Sequence, residues 1–283
     1  MTEQKLEPAL VDRILNRLGI DFPAQSDGES LQKVYAAWCQ KVPFDNVQKI
    51  IQVRSKSPAP LPGTEAVDFF EAWLSHGTGG TCWSGAGALQ TFLTTLGFDV
   101  QRGIATMLAA PVLPPNHGTL KVRLDGQDYL LDSSILHAEP LRLDTELETS
   151  IQHPAWGLTC SQREGRWYIQ WRPLHKTDGF ECRLESFGPG SHDFSSRYEA
   201  TRDWSPFNYQ LNARINRGDQ VVGLAFGNAV TLLADGQVII TPVDDQERRR
   251  ILREDFGMSE EIVQQLPGDI PTPPPPGSQT AAT

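Results

Sequence analysis

Apolar residues recur at helical spacing through the first third of the chain and at alternating spacing beyond it. Leu10, Val11, Ile14, Leu15 and Leu18 share one face of a helix over 7–18, which Gly19 ends. Leu31, Val34, Tyr35, Trp38 and Val42 repeat the pattern over 30–42, before Pro43 breaks the helix and VPFDN (42–46) leaves it. After the loop SKSPAPLPG (55–63), Val67, Phe70, Trp73 and Leu74 mark a third helix with Thr64 as its N-cap. A fourth opens at Cys82, with Ala86, Leu89, Leu93 and Leu96 in register and Gly97 as its stop. Residues 1–97 therefore predict a helical subdomain.

The period then changes. FDVQRGIAT (98–106) reads as a strand, and a loop with Pro111, Pro114 and Pro115 leads to His117. TLKVRL (119–124) alternates cleanly, Asp125–Gly126 is a hairpin turn signal, and QDYLLD returns. Further strands are expected at 156–162 and 166–172, joined by REG, whereas 173–210 is irregular and aromatic-rich. Residues 211–241 predict two or three strands with ADGQ (234–237) as a turn, followed by closing helices at 244–256 and 259–266. The tail from 267 onward, PGDIPTPPPPGSQTAAT, reads as a disordered, polyproline-type appendage.

Charge narrows the partners. A chain of 283 residues with a formal charge of −10 has no basic stripe to displace counterions from a nucleic acid. Its basic clusters, at Arg163 and Arg166 and at Arg248–Arg250, are interleaved with acids and read as solvated faces. No apolar run resembles a signal peptide or a membrane span, so no membrane partner and a cytoplasmic location are expected. The four cysteines, at 39, 82, 160 and 182, show no CxxC and no Cys/His spacing for a metal. Reduced thiols are expected, with Cys39, Cys160 and Cys182 in the core.

Cys82 is different because of where it sits. The tight turn Gly79–Gly80–Thr81 places it in the first turn of a helix, where exposed N–H groups and the dipole favour an anion such as a thiolate. Taken alone, it reads better as a small apolar residue starting a core helix. Its partners come from the hairpin. A two-residue Asp125–Gly126 turn sets Leu124 opposite Gln127 and Thr119 opposite Asp132, so His117 becomes a diagonal neighbour of Asp132. A carboxylate that orients an imidazole, which in turn holds a thiolate, is a layout for nucleophilic acyl transfer. His76 and His137 read as surface-loop positions, His153, His175 and His192 as solvent-exposed, and Trp83 as a core wedge.

VPFDN, GGTC opening a helix, NHGTLKV, LLD before PLRL, SPFNYQL (205–211), ADGQV and ILREDFG together resemble the arylamine N-acetyltransferase family over nearly all the chain except the tail. The resemblance implies an α+β fold. Its parts are an N-terminal helical bundle (1–97), a central antiparallel β-barrel (98–210), a C-terminal α/β lid (211–266) and the disordered tail (267–283). It implies a catalytic triad of Cys82, His117 and Asp132, and substrate contacts at Phe44, Ile135 and Phe207. The implied reaction is ping-pong transfer of an acetyl group from acetyl-CoA, or another acyl-CoA, through a Cys82 thioester to an aromatic amine or hydrazine, with no bound cofactor. The family pattern RGG-x-C-[FY]-E-x-N departs here at Thr78, Ser84 and Ala86, and its V-G-F-G becomes Ser133, Ser134, Ile135 and Leu136. Three other functions fit the same scaffold: an amide synthase using a carrier-bound acyl chain, a transglutaminase-like cysteine hydrolase, and a non-catalytic binding protein.

Overall fold

The structure, a computed structural model, describes residues 5–23, 25–109, 113–176 and 178–276. Pro111 of the loop before His117 and the tail beyond 276 lie outside the described residues. Six elements make up the N-terminal region: α1 (Pro8–Leu18), α2 (Gly28–Lys41), β1 (Phe44–Asp45), α3 (Val47–Arg54), α4 (Ala66–His76) and α5 (Cys82–Thr95). The four expected helices are present with shifted ends. Asp27 caps α2 by accepting from the Ser30 amide at 2.9 Å. Glu65, not Thr64, is the N-cap of α4; the Thr64 hydroxyl instead donates to the Leu61 carbonyl and closes the preceding turn. The sequence reading missed α3, whose eight residues bury only Val47, Lys49 and Ile50, too short a stripe to show a helical period. Trp38, Phe69, Phe70, Trp73 and Phe92 lock α2, α4 and α5 together through edge-on and stacked ring contacts.

The middle of the chain forms eight antiparallel strands: β2 (Asp99–Met107), β3 (His117–Leu124), β4 (Gln127–Leu131), β5 (Leu141–Leu143), β6 (Thr149–Ile151), β7 (Leu158–Arg163), β8 (Arg166–Trp171) and β9 (Phe180–Phe187). Their order, β5-β4-β3-β2-β9-β8-β7-β6, brings β5 beside β6, where the Thr149 hydroxyl donates to the Arg142 carbonyl at 2.6 Å. The sheet is a near-closed barrel, which leaves little free edge. Asp125 and Gly126 both have positive φ (49° and 76°), as a two-residue hairpin of the twist-compatible kind requires. The turn sets the expected register, with Leu124 opposite Gln127 and Leu120 opposite Leu131.

Residues 173–210 are not irregular. They contain β9, α6 (Ser191–Ala200) and a 3-10 turn at Pro206–Asn208. Four strands rather than two or three follow: β10 (Asn212–Arg217), β11 (Gln220–Ala225), β12 (Asn228–Leu232) and β13 (Val238–Pro242). The closing helices are α7 (Asp245–Glu254) and α8 (Glu260–Gln265). The second sheet runs β1-β10-β11-β12-β13, with Phe44 opposite Arg214 and Asp45 opposite Ala213. A piece of the helical region is therefore stitched into the C-terminal sheet, over a smaller core that includes Ile251, Leu252, Phe256 and Val263.

Two expectations are corrected at the C-terminus. Arg248 is not on a solvated face: it is buried, pairs with Asp269 at 2.6 Å and donates to the Pro267 carbonyl. Residues 267–273 are likewise not a free appendage. Asp269 also accepts from the Leu211 amide, Ile270 donates to the Tyr209 carbonyl, and Trp204 donates to Pro273. This strap holds the 204–211 loop. No helix among the described residues is long and apolar enough to cross a membrane. Asp269→Ala leaves the Leu211 amide without its acceptor and removes one acid from Arg248. It is expected to lower folding stability by about 1–3 kcal/mol, read by chemical denaturation.

Candidate active site

The turn before α5 is shaped by close backbone packing. A Cβ on Gly79 would lie 1.7 Å from the Pro43 carbonyl oxygen, so only glycine lets this turn lie against β1. Phe44 bridges to Gly80 in parallel, and the Asp45 amide donates to the Gly80 carbonyl at 3.1 Å. The Asp45 carboxylate accepts from the Gly79 amide at 2.6 Å and the Val47 amide at 3.0 Å. Burial raises this carboxyl to about 6 in spite of those donors. The VPFDN segment thus aims the GGT turn. Cys82 begins α5 after Thr81, whose side chain makes no cap hydrogen bond.

His117 opens β3, and its Nε2 lies 2.6 Å from Oδ2 of Asp132. The other oxygen of Asp132, Oδ1, accepts from the Ser134 amide at 2.9 Å, the Ser134 hydroxyl at 2.8 Å and the Ile135 amide at 2.9 Å. The Tyr35 hydroxyl donates to the Asp132 carbonyl and accepts from its amide, anchoring the strand end to α2. Cys82 is next to His117 across the site: its carbonyl oxygen would lie 3.2 Å from a Cβ on Gly118, the residue after the histidine. Burial alone would push His117 down, but the negative charges of Asp132 and Cys82 and the hydrogen bond to Asp132 outweigh it and hold the imidazole well above its ordinary range. For Asp132, burial acts upward, and the His117 charge and the donors around it hold the carboxyl well below the usual range. Cys82, His117 and Asp132 are 5%, 2% and 1% exposed, so this is a dry site.

Gly118 lets α6 approach. A Cβ there would meet Phe194 at 2.8 Å, Trp83 at 3.0 Å and the Cys82 carbonyl oxygen at 3.2 Å. Phe44 and Phe207, both half-buried, meet edge to face at 5.4 Å beside the Gly80 turn. Asn46 fixes that pairing by donating to the Phe207 and Gln210 carbonyls. Ile135 is fully buried and contributes its amide to Asp132. His137 is not on the surface: it is buried against Tyr35, and burial pushes it down to about 4. The other three thiols are buried and pushed up, Cys39 and Cys160 to about 12. Sequence reasoning missed Tyr35, Asp45 and Ser134 as supports. Only Ser134 left a local signal, an Asp two residues ahead of a donor.

An N-acetyltransferase family model matches residues 27–264, most of the chain. The chain belongs to the arylamine N-acetyltransferase family. It is 27% identical over 179 residues to the arylamine N-acetyltransferase of Mycolicibacterium smegmatis, a match that spans 57% of this chain and 62% of that relative's length. Its fold is similar to that of the Salmonella typhimurium enzyme, at 19% identity and a TM-score of 0.74, covering 89% of this chain and 92% of the other. It is equally similar to the Mycobacterium marinum enzyme solved in complex with CoA, at 18% identity and a TM-score of 0.74, covering 89% and 94%.

This N-acetyltransferase-family member fills the altered motif positions compactly. The Thr78 hydroxyl accepts from Gln48, the Ser84 hydroxyl donates to the Thr81 carbonyl, and Ala86 is fully buried. The His117–Asp132 pair also makes stability depend on pH. The raised imidazole stabilises the fold fully below about 6.5 and loses this contribution as pH rises through its folded value; the depressed carboxyl contributes fully above about 3.9 and loses it at lower pH. The stability gap between the wild type and Asp132→Asn should be widest between these limits and narrow by pH 9. Denaturation at pH 5 and pH 9 measures it.

Proposed function

We propose that this protein is an acyltransferase that carries an acetyl or other short acyl group from acyl-CoA, through a thioester on Cys82, to an aromatic amine or hydrazine. The observation that carries the reading is the buried His117–Asp132 pair, 2.6 Å apart, beside a thiol at a helix start. In the first step the Cys82 sulfur attacks the thioester carbonyl, the new C–S bond forms, and CoA leaves with a proton from His117. The N–H groups of the first turn of α5 face developing negative charge with the positive end of the helix dipole. In the second step the amine attacks the acyl carbon, the C–N bond forms, the C–S bond of Cys82 breaks, and His117 takes the amine proton.

Burial of all three side chains keeps water from the thioester, so an amine is the better nucleophile there. Phe44 and Phe207, packed edge to face, offer aromatic surface suited to an arylamine ring. The complex of the M. marinum relative with CoA supports CoA as the acyl carrier. Four buried, unpaired thiols suit a reducing compartment such as the cytoplasm.

Intact-mass spectrometry after incubation with acetyl-CoA should show one added acetyl group, lost on addition of an aminobenzoate or hydrazine. Cys82→Ala should show none, and His117→Gln should slow acylation about 10²–10⁴-fold. No adduct with any short acyl-CoA would refute the reading. Peptide or amide hydrolysis without CoA would favour a cysteine hydrolase instead.

A further inference from the structure

Lys49 projects from α3 into the protein and is 3% exposed. Its Nζ donates to the Thr201 hydroxyl at 2.7 Å and lies 5.9 Å from the centre of the Tyr198 ring. Among the described residues it forms no ion pair with a carboxylate. A buried ammonium without an ion-paired acid is costly, and a methionine would fill similar space without that cost. The side chain lines a narrow recess with Gly79, Gly80, Thr81 and Tyr198, at the start of the helix that Cys82 opens. Thr81 is 2% exposed, and its hydroxyl in that recess has no hydrogen-bond partner. An ammonium, an unused hydroxyl and a helix N-terminus converge there, and all three favour an anion.

The candidate anions can be ranked by what already occupies them. Asp45, across the recess, spends one oxygen on the Val47 amide and the other on the Gly79 amide. Glu199 of α6 is paired with Arg202, which itself faces Lys49 as a second positive charge. Cys82, which directly follows the recess-lining Thr81 at the start of α5, is the remaining acid next to the recess. We propose that Lys49 is a positioning residue of the acyltransfer site, a second cation beside His117 whose charge favours the anionic form of Cys82. The inference rests on the reading of Cys82 as the nucleophile. Burial pushes the Lys49 amine down to about 7, with Cys82 and Glu199 pulling it up and Arg202 opposing them. Its charge is therefore present in mildly acidic solution and lost above neutrality.

The test is alkylation of Cys82 by iodoacetamide between pH 5.5 and 9.5, read on the Cys82 peptide by mass spectrometry, in the full-length wild type and in Lys49→Met and Lys49→Arg. Lys49→Met should react about tenfold more slowly at pH 6, the effect of roughly one pH unit. It should converge with the wild type above pH 9, where a thiol ionises unaided. Its melting temperature should not fall, because a buried charge has been removed. Lys49→Arg should restore the rate at pH 6. Should the larger arginine prevent folding, Thr201→Val removes the one hydrogen-bond acceptor of Nζ and should slow alkylation at pH 6 in the same direction. A Lys49→Met profile that matches the wild type, or that is slowed equally at every pH, overturns the proposal. Absence of an acyl-enzyme would refute acyl transfer while leaving this difference in alkylation intact, so the two failures are distinguishable.

Discussion

Asp132 is a carboxylate taken almost wholly out of water, and it stands where three parts of the molecule meet. One oxygen is held by the backbone and hydroxyl of the following turn, the other by His117, and its own peptide groups are clasped by the Tyr35 hydroxyl from α2. Removing such a charge from water is tolerable only when its hydrogen-bonding positions are met. The partners come from different constraints: hairpin register supplies His117 and the Asp-Ser-Ser turn supplies Ser134 to the carboxylate, and helix packing supplies Tyr35 to the peptide groups. Loosening either of the first two leaves a buried anion short of a partner, and loosening the third leaves buried peptide groups unpaired, which is why the barrel, the turn and the helix are fixed relative to each other at this point.

A second set of contacts brings Cys82 to that anchor. Asp45 and Phe44 pin the GGT turn from one side, and the same short strand pairs with β10 on the other. The Phe207 loop is tied to Asn46 and to the C-terminal strap. The helical, barrel and C-terminal parts of the chain thus share one junction rather than meeting as separate blocks, and the candidate site sits at it.

The hairpin could be read from the sequence because strand side chains alternate with a period of two and Asp-Gly admits few turns, so a count fixes His117 against Asp132. The Cys82 helix was legible from its glycine turn and apolar spacing. Other elements were not, for physical reasons. β1, β5 and β6 are two or three residues long, too short to show an alternation, and β1 pairs with a strand far along the chain. α6 buries only Phe194 and Tyr198, too few to show a period. Lys49, His137 and Arg248 look like surface residues by type, and their burial is decided by what folds over them, not by their neighbours in the chain.

The charge state of His117 reports most directly on whether Asp132 and Cys82 act on it together. A titration of the His117 imidazole by nitrogen-15 NMR follows that charge without any substrate. The geometry predicts a ring that stays doubly protonated through pH 8. A ring that loses its proton near 6.5, the ordinary value for histidine, would contradict it.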